Sequence, residues 1–199
     1  MLDDMPCHVR PHLDAFPKSP GFLRPDAAEE AGWRTRFASA TSLPSVGFCW
    51  RSGLRRPAWR HNDLVIAQLA PLFGRTDFLP VCLQYDEYEA EIQELEKLTG
   101  VPVFRPEAID QRDELDRVAA MIAALDLVIA TDTSVLFIAG AVGTPVIGLH
   151  ASRSAMFLGA SSNPWLASER SLIKGGNRSW EAAINEALPL IEEILSESG

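Results

Sequence analysis

Two short apolar runs, Leu127-Val-Ile-Ala130 and Val146-Ile-Gly-Leu149, constrain this chain more than any other feature. Neither alternates apolar with polar residues, so each reads as a strand buried on both faces. The stretch between them opens on the polar corner Thr131-Asp132-Thr133-Ser134, continues through small and apolar residues, and stops at Gly143. Strand, crossover helix and strand make a βαβ unit, which belongs in a parallel sheet covered on both sides. The corner falls at the carboxyl end of the first strand, the edge where open α/β sheets bind ligands.

The rest of the chain repeats that alternation. Residues 45–50 and 78–84 read as strands, 101–104 as a short one, and Leu172-Ile173 as a last edge strand. Between them, a helix capped by Asn62 or Asp63 carries Val65, Leu69 and Leu72 on one face. A second runs over 86–99 with Tyr88, Ile92 and Leu95 inward and Gly100 as its stop. Asp113 caps a third, with Leu115, Val118, Ile122 and Leu125 at helical spacing, and Ser179 begins a fourth bearing Trp180, Ile184, Leu188, Ile191 and Leu195. The expected fold class is α/β, a single doubly wound parallel-sheet domain of Rossmann-like type spanning residues 41–178. Residues 1–40 form a lead-in broken by Pro6, Pro11, Pro17, Pro20 and Pro25, ending in a helix capped by Asp26 with Trp33 and Phe37 as its packing face. Residues 179–199 form the C-terminal helix.

At 199 residues and 47% hydrophobic, the chain can bury a full core. No apolar run approaches membrane-spanning length and no signal peptide opens the sequence, so a cytoplasmic location is expected. Cys7, Cys49 and Cys82 are odd in number and widely spaced, which favours reduced, buried thiols over disulfides or a metal site. A net charge of −9 argues against nucleic acid as a partner.

Three places can carry chemistry. Residues 51–61 hold Arg51, Arg55, Arg56, Arg60 and His61 with no acid among them. Guanidinium groups at the ligand edge suit bidentate capture of phosphate, and Gly53 admits a ligand close to the backbone. A solvated loop offsetting surface acids is the plainer alternative. At the corner, the first amides of the helix form an anion site and Thr133 and Ser134 add hydroxyls, while Asp132 suits a hydroxyl-rich sugar better than phosphate. A simple N-cap explains the same residues. After the second long strand, Gln84 can read a nucleobase and Tyr85 can stack on a ring, or the two can merely start a helix capped by Asp86. His8, His12 and His150 lack nearby acidic or thiol partners in the sequence, so neither a metal site nor a catalytic histidine is expected. No dinucleotide fingerprint, phosphate-binding P-loop or Ser-His-Asp order is present.

Val46-Gly-Phe-Cys-Trp-Arg-Ser-Gly53, Leu83-Gln-Tyr-Asp86, the run Asp113 to Ile129, and Asp132-Thr-Ser-Val-Leu-Phe-Ile-Ala-Gly-Ala-Val-Gly-Thr-Pro-Val146 stand in an order that resembles one family. Together they look like the C-terminal, nucleotide-sugar-binding half of GT-B glycosyltransferases, of the type that follows tetratricopeptide repeats in bacterial proteins. Heptosyltransferases and O-linked N-acetylglucosamine transferases are more distant kin. The resemblance covers residues 20–194 and implies a nucleotide-sugar donor, no metal and no other cofactor. It assigns Arg51, Ser52, Gly53, Arg60, Thr133 and Ser134 to the donor diphosphate, and Trp50, Gln84, Tyr85 and Asp132 to the nucleotide or sugar. Without metal, positive side chains and helix dipoles take up leaving-group charge. It also implies a separate N-terminal Rossmann-like half or a repeat-containing partner, the catalytic base lying outside this chain, and a final helix that braces the other half. An unbraced helix of that kind would expose apolar surface around Trp180 and favour a homodimer. Phe137 stands where relatives often carry His. A non-catalytic domain that binds nucleotide or protein is the competing expectation.

Overall fold

A computed structural model of the chain describes residues 8–53, 64–107, 109–174 and 179–197. Five strands form one parallel sheet: β1 (Ser45–Cys49), β2 (Leu79–Cys82), β3 (Leu127–Thr131), β4 (Val146–His150) and β5 (Glu169–Ile173). Their order across the sheet is β2-β1-β3-β4-β5, with neighbours in parallel register such as Phe48↔Ile129 and Ile129↔Ile147. Among the described residues the α-helices that accompany them are α1 (Ala27–Ala40), α2 (Ala70–Phe73), α3 (Glu89–Thr99), α4 (Leu115–Ala123), α5 (Ser134–Val142) and α6 (Trp180–Glu197).

The period-2 geometry of the strands divides the core into two layers. Val46, Phe48, Trp50, Leu127, Ile129, Ile147 and Leu149 face α2, α3 and α6. Cys49, Val81, Leu83, Val128, Ala130 and Val146 face α1, α4 and α5. Both faces are therefore covered, which is why the strand sequences carry no polar alternation. Gly47 is needed for this closeness, since a Cβ there would lie 2.5 Å from Leu83 and 2.6 Å from Leu125. Two helix stops are the expected left-handed glycines, Gly100 at φ 71° and Gly143 at φ 89°. Asp26 caps α1 by accepting from the amides of Ala28 and Glu29, and Trp33 and Phe37 are buried against α4.

Several expectations need correction. Residues 101–104 contribute only a single bridge, Val81↔Phe104, because the chain turns away at Arg105 to pair with Glu89 and Glu96. The helix cap expected at Asn62 or Asp63 lies outside the described residues. Beyond it, a 3-10 turn over Ile66–Leu69 leads into the short α2, and Val65 is exposed. Pro71 enters at the start of α2, where its missing amide costs nothing. Leu115 is exposed, although Val118, Ile122 and Leu125 are buried as their spacing predicts.

The largest correction concerns α6. Trp180 is 4% exposed, and Ile184, Ala187 and Ile191 are buried with it in the core of this domain. The helix thus covers its own sheet, and Trp180 is not the exposed apolar surface expected of it. Among the described residues no helix is long and apolar enough to cross a membrane. Cys49 and Cys82 are buried free thiols, and burial pushes the pKa of each up to about 12.

Candidate functional site at the switch in strand order

From β1 the chain moves outward to β2, then returns past β1 to lay down β3 on the other side. Strand order reverses there, and the crevice between the carboxyl ends of β1 and β3 is where a doubly wound sheet binds ligands. Two sequence-predicted segments meet in it. Cys49, the last residue of β1, lies in register with Ala130 of β3. The Thr133 hydroxyl donates to Cys49 Sγ at 3.6 Å, tying the corner after β3 to the end of β1.

Thr133 is the N-cap of α5, yet its side chain makes no capping bond. With the hydroxyl turned to Cys49, no described side chain is seen to accept from the amides of the first turn, and the helix dipole adds to their positive field. Ser134, the first helical residue, is exposed. Thr133 is thus the N-cap by position, without a capping bond from its side chain. Thr131, at the end of β3, is a buried hydroxyl with no partner among the described residues.

The β1 side of the crevice differs from expectation. Instead of facing phosphate, the Arg51 side chain is only 7% exposed and is engaged by acids. Its Nε donates to both oxygens of Glu91 at 3.1 and 3.0 Å, and Nη2 donates to the Glu87 carbonyl at 2.8 Å and again to Glu91. Nη1 donates to Asp86. Burial alone would lower the guanidinium pKa, but the hydrogen bonds to Glu91 and Asp86 outweigh it and raise the value. Trp50 is wholly buried, gives its indole N–H to Glu91 at 3.1 Å and stacks on Phe48 in the core. Gln84 is wholly buried too: its amide donates to the Arg51 carbonyl at 3.0 Å and to Asp86 at 2.9 Å. Tyr85 is partly exposed and accepts the Gly53 amide at 3.1 Å, while a Cβ at Gly53 would strike its ring at 2.6 Å. Tyr85 thus shapes the loop holding Ser52 and Gly53. Arg60, with Arg55, Arg56 and His61, lies outside the described residues.

The structure also joins residues that sequence reasoning keeps apart. His150, at the end of β4, is 1% exposed and lies between two carboxylates. Its Nδ1 is 2.7 Å from Asp132 Oδ1 and its Nε2 is 2.6 Å from Glu169 Oε1. Glu169 also accepts from Asn163 at 3.0 Å and from Ser171 at 2.5 Å. Burial would depress the imidazole pKa, but the bonds to Asp132 and Glu169 push it up to about 9, so both ring nitrogens carry protons at neutral pH. Gly148 makes this possible, because a Cβ there would lie 2.6 Å from both Glu169 Oε1 and His150 Nε2. The lack of acidic neighbours expected for His150 is corrected: the neighbours sit on β5 and on the corner after β3, 19 and 18 residues away in sequence. A histidine closing an otherwise apolar strand is the one local signal that points to them. No group of three or more His, Cys, Asp or Glu side chains among the described residues is arranged to hold a metal ion.

Comparison with known proteins agrees with this architecture. The family model described as glycosyltransferase family 9 (heptosyltransferase) matches residues 80–181, about half of the chain. Protein FlbA of Caulobacter vibrioides is 34% identical over 187 residues, which cover 94% of this chain and 31% of FlbA. The lipopolysaccharide core heptosyltransferase OpsX of Haemophilus influenzae is 39% identical over 61 residues, 31% of this chain and 18% of OpsX. The family 9 glycosyl transferase of Veillonella parvula superposes with a TM-score of 0.67 at 15% identity, over 88% of this chain and 54% of that one. The ADP-heptose lps heptosyltransferase II of E. coli gives 0.62 at 18% identity, over 89% and 54%. The chain therefore spans about a third of FlbA and about half of these solved transferases. At such identities the structural matches establish the fold, an α/β domain of GT-B type.

Proposed function

The chain belongs to glycosyltransferase family 9, and we propose that it is the donor-binding half of such a transferase, holding the diphosphate of a nucleotide sugar at the start of α5. One observation carries the reading: α5 starts directly after β3, beside the switch in strand order, and its N-cap Thr133 makes no side-chain capping bond. A helix N-terminus there offers amide donors and a positive dipole to an anion without any metal. Exposed Ser134 adds a hydroxyl, and Asp132, its side chain 22% exposed, is placed to accept from a sugar hydroxyl beside the diphosphate. Ser52 and Gly53 bring backbone to the opposite wall. Arg51, Trp50 and Gln84 serve as the frame of that wall, not as ligand contacts. The other half, with the catalytic base, is part of the same proposal as a separate Rossmann-like unit or a repeat-containing partner.

The full engagement of Arg51, Trp50 and Gln84 favours a second reading, in which the domain binds nucleotide without transferring sugar. Calorimetry with ADP-heptose, UDP-glucose and GDP-mannose tests binding apart from transfer; ADP-heptose is included because it appears in the name of a structural relative. Binding of one of them is expected, weakened at least tenfold by Ser134→Asp. That change suits the helix, since an acid in the first turn is favourable, but sets a negative charge where phosphate would lie. Binding that survives Ser134→Asp unchanged, or no binding of any nucleotide sugar by folded protein, would sink the proposal.

A further inference from the structure

The chain Asn163–Glu169–His150–Asp132 runs from the sealed interior to the edge of the crevice. Side-chain exposure rises along it from 0% at Glu169 to 2% at His150 and 22% at Asp132. Buried charged groups are costly, and a core position at the end of β4 would be served as well by an apolar side chain. Here Glu169 is instead fixed by Asn163 and Ser171, His150 is fixed by Glu169, and only the last member reaches the crevice. Both ring nitrogens of His150 and both oxygens of Glu169 are committed, so the ring cannot turn without breaking a short bond. The missing Cβ at position 148 is what admits the arrangement.

We propose that His150 is a positioning residue of the donor site, holding the Asp132 carboxylate in the orientation that accepts a hydroxyl of the donor sugar. The inference rests on the proposed function and deepens it, because it concerns the sugar and not the diphosphate. Asp132 begins the turn into α5, so without His150 its carboxylate would be free to swing toward the uncapped amides of that helix and occupy the anion site itself. An imidazolium anchored on Glu169 prevents this by holding Oδ1 at 2.7 Å.

The test is calorimetry on the full chain with the nucleotide sugar that binds, and with the matching free nucleoside diphosphate. His150→Gln keeps a donor near the Nε2 position for Glu169 and loses the one facing Asp132. It is expected to weaken nucleotide-sugar binding about tenfold, ~1.4 kcal/mol, while the free diphosphate changes less than twofold. In an Asp132→Asn background the same substitution should cause no further loss. Equal losses for sugar and diphosphate, an undiminished loss in the Asp132→Asn background, or no loss at all would overturn the inference while leaving donor binding intact. A wild-type chain that binds no nucleotide sugar overturns the parent proposal and this one with it. Should His150→Gln fail to fold, His150→Asn decides: it keeps a donor toward Asp132 and should preserve the ratio of the two affinities, and a collapse of that ratio in a folded variant refutes the positioning role.

Discussion

Replacing Arg51 with alanine separates a structural brace from a phosphate ligand. The guanidinium bridges Glu91, Asp86 and the Glu87 carbonyl and lies over the Trp50 ring at 5.6 Å. Its removal leaves two carboxylates and a carbonyl facing an emptied site at the junction of the β1 loop and α3. Breaking a buried ion pair by deleting one partner costs about 3–5 kcal/mol. Asp86 and Glu91 are 16% and 29% exposed and can draw back toward water, so the lower end applies. About 3 kcal/mol corresponds to a melting temperature roughly 6–12 °C lower in a domain of this size. Urea unfolding of the wild type, Arg51→Ala, Glu91→Gln and the double variant measures it, and a coupling of roughly 1–3 kcal/mol between the two sites is expected. Donor affinity should change little in the folded Arg51→Ala protein. A variant as stable as wild type that loses donor binding would refute the brace and return Arg51 to the diphosphate.

Two further outcomes are expected. The His150 pKa is raised from 6.5 to about 9, so its contribution, on the order of 3 kcal/mol, is complete below pH 6.5 and is lost as pH rises through about 9; urea titrations from about pH 6 to 10 should show that decline in the wild type and a flatter profile in His150→Gln. Trp180→Ala should cost about 3–5 kcal/mol in stability, as for a buried aromatic, and leave the molar mass in light scattering unchanged. A stable variant with altered mass would mean that Trp180 faces a partner and not the sheet.

What the sequence discloses is local, and what it conceals is long-range pairing. Leu127–Thr131, α5 and Val146–His150 are legible because burial on both faces leaves unbroken apolar runs, and Gly143 and Gly100 mark stops that a side chain would strain. The corner after β3 is legible as a helix start at a strand end. Arg51 looks free in the sequence because its immediate neighbours include no acid, yet Asp86 and Glu91 reach it from 35 and 40 residues away. The partners of Gln84 and Trp50 are hidden for the same reason: their polar atoms turn inward to the Arg51 cluster. His150 looks unpartnered because Asp132 and Glu169 approach it only when β3, β4 and β5 lie side by side. Trp180 reads as an outward surface, but α6 folds back onto the sheet. Charge and polarity in a sequence show which groups must be satisfied; the strand order determines by whom.

Donor binding at the switch in strand order is tested most directly by hydrogen exchange of the full chain with and without ADP-heptose, UDP-glucose or GDP-mannose. The amides of residues 133–137 and of 51–53 should gain protection together when the donor is bound, and Ser134→Asp should abolish both gains. Protection that appears elsewhere, for instance in the cleft of about 440 Å³ lined by Phe16, Lys18 and Asn163, while the start of α5 exchanges unchanged, would contradict donor binding at this corner.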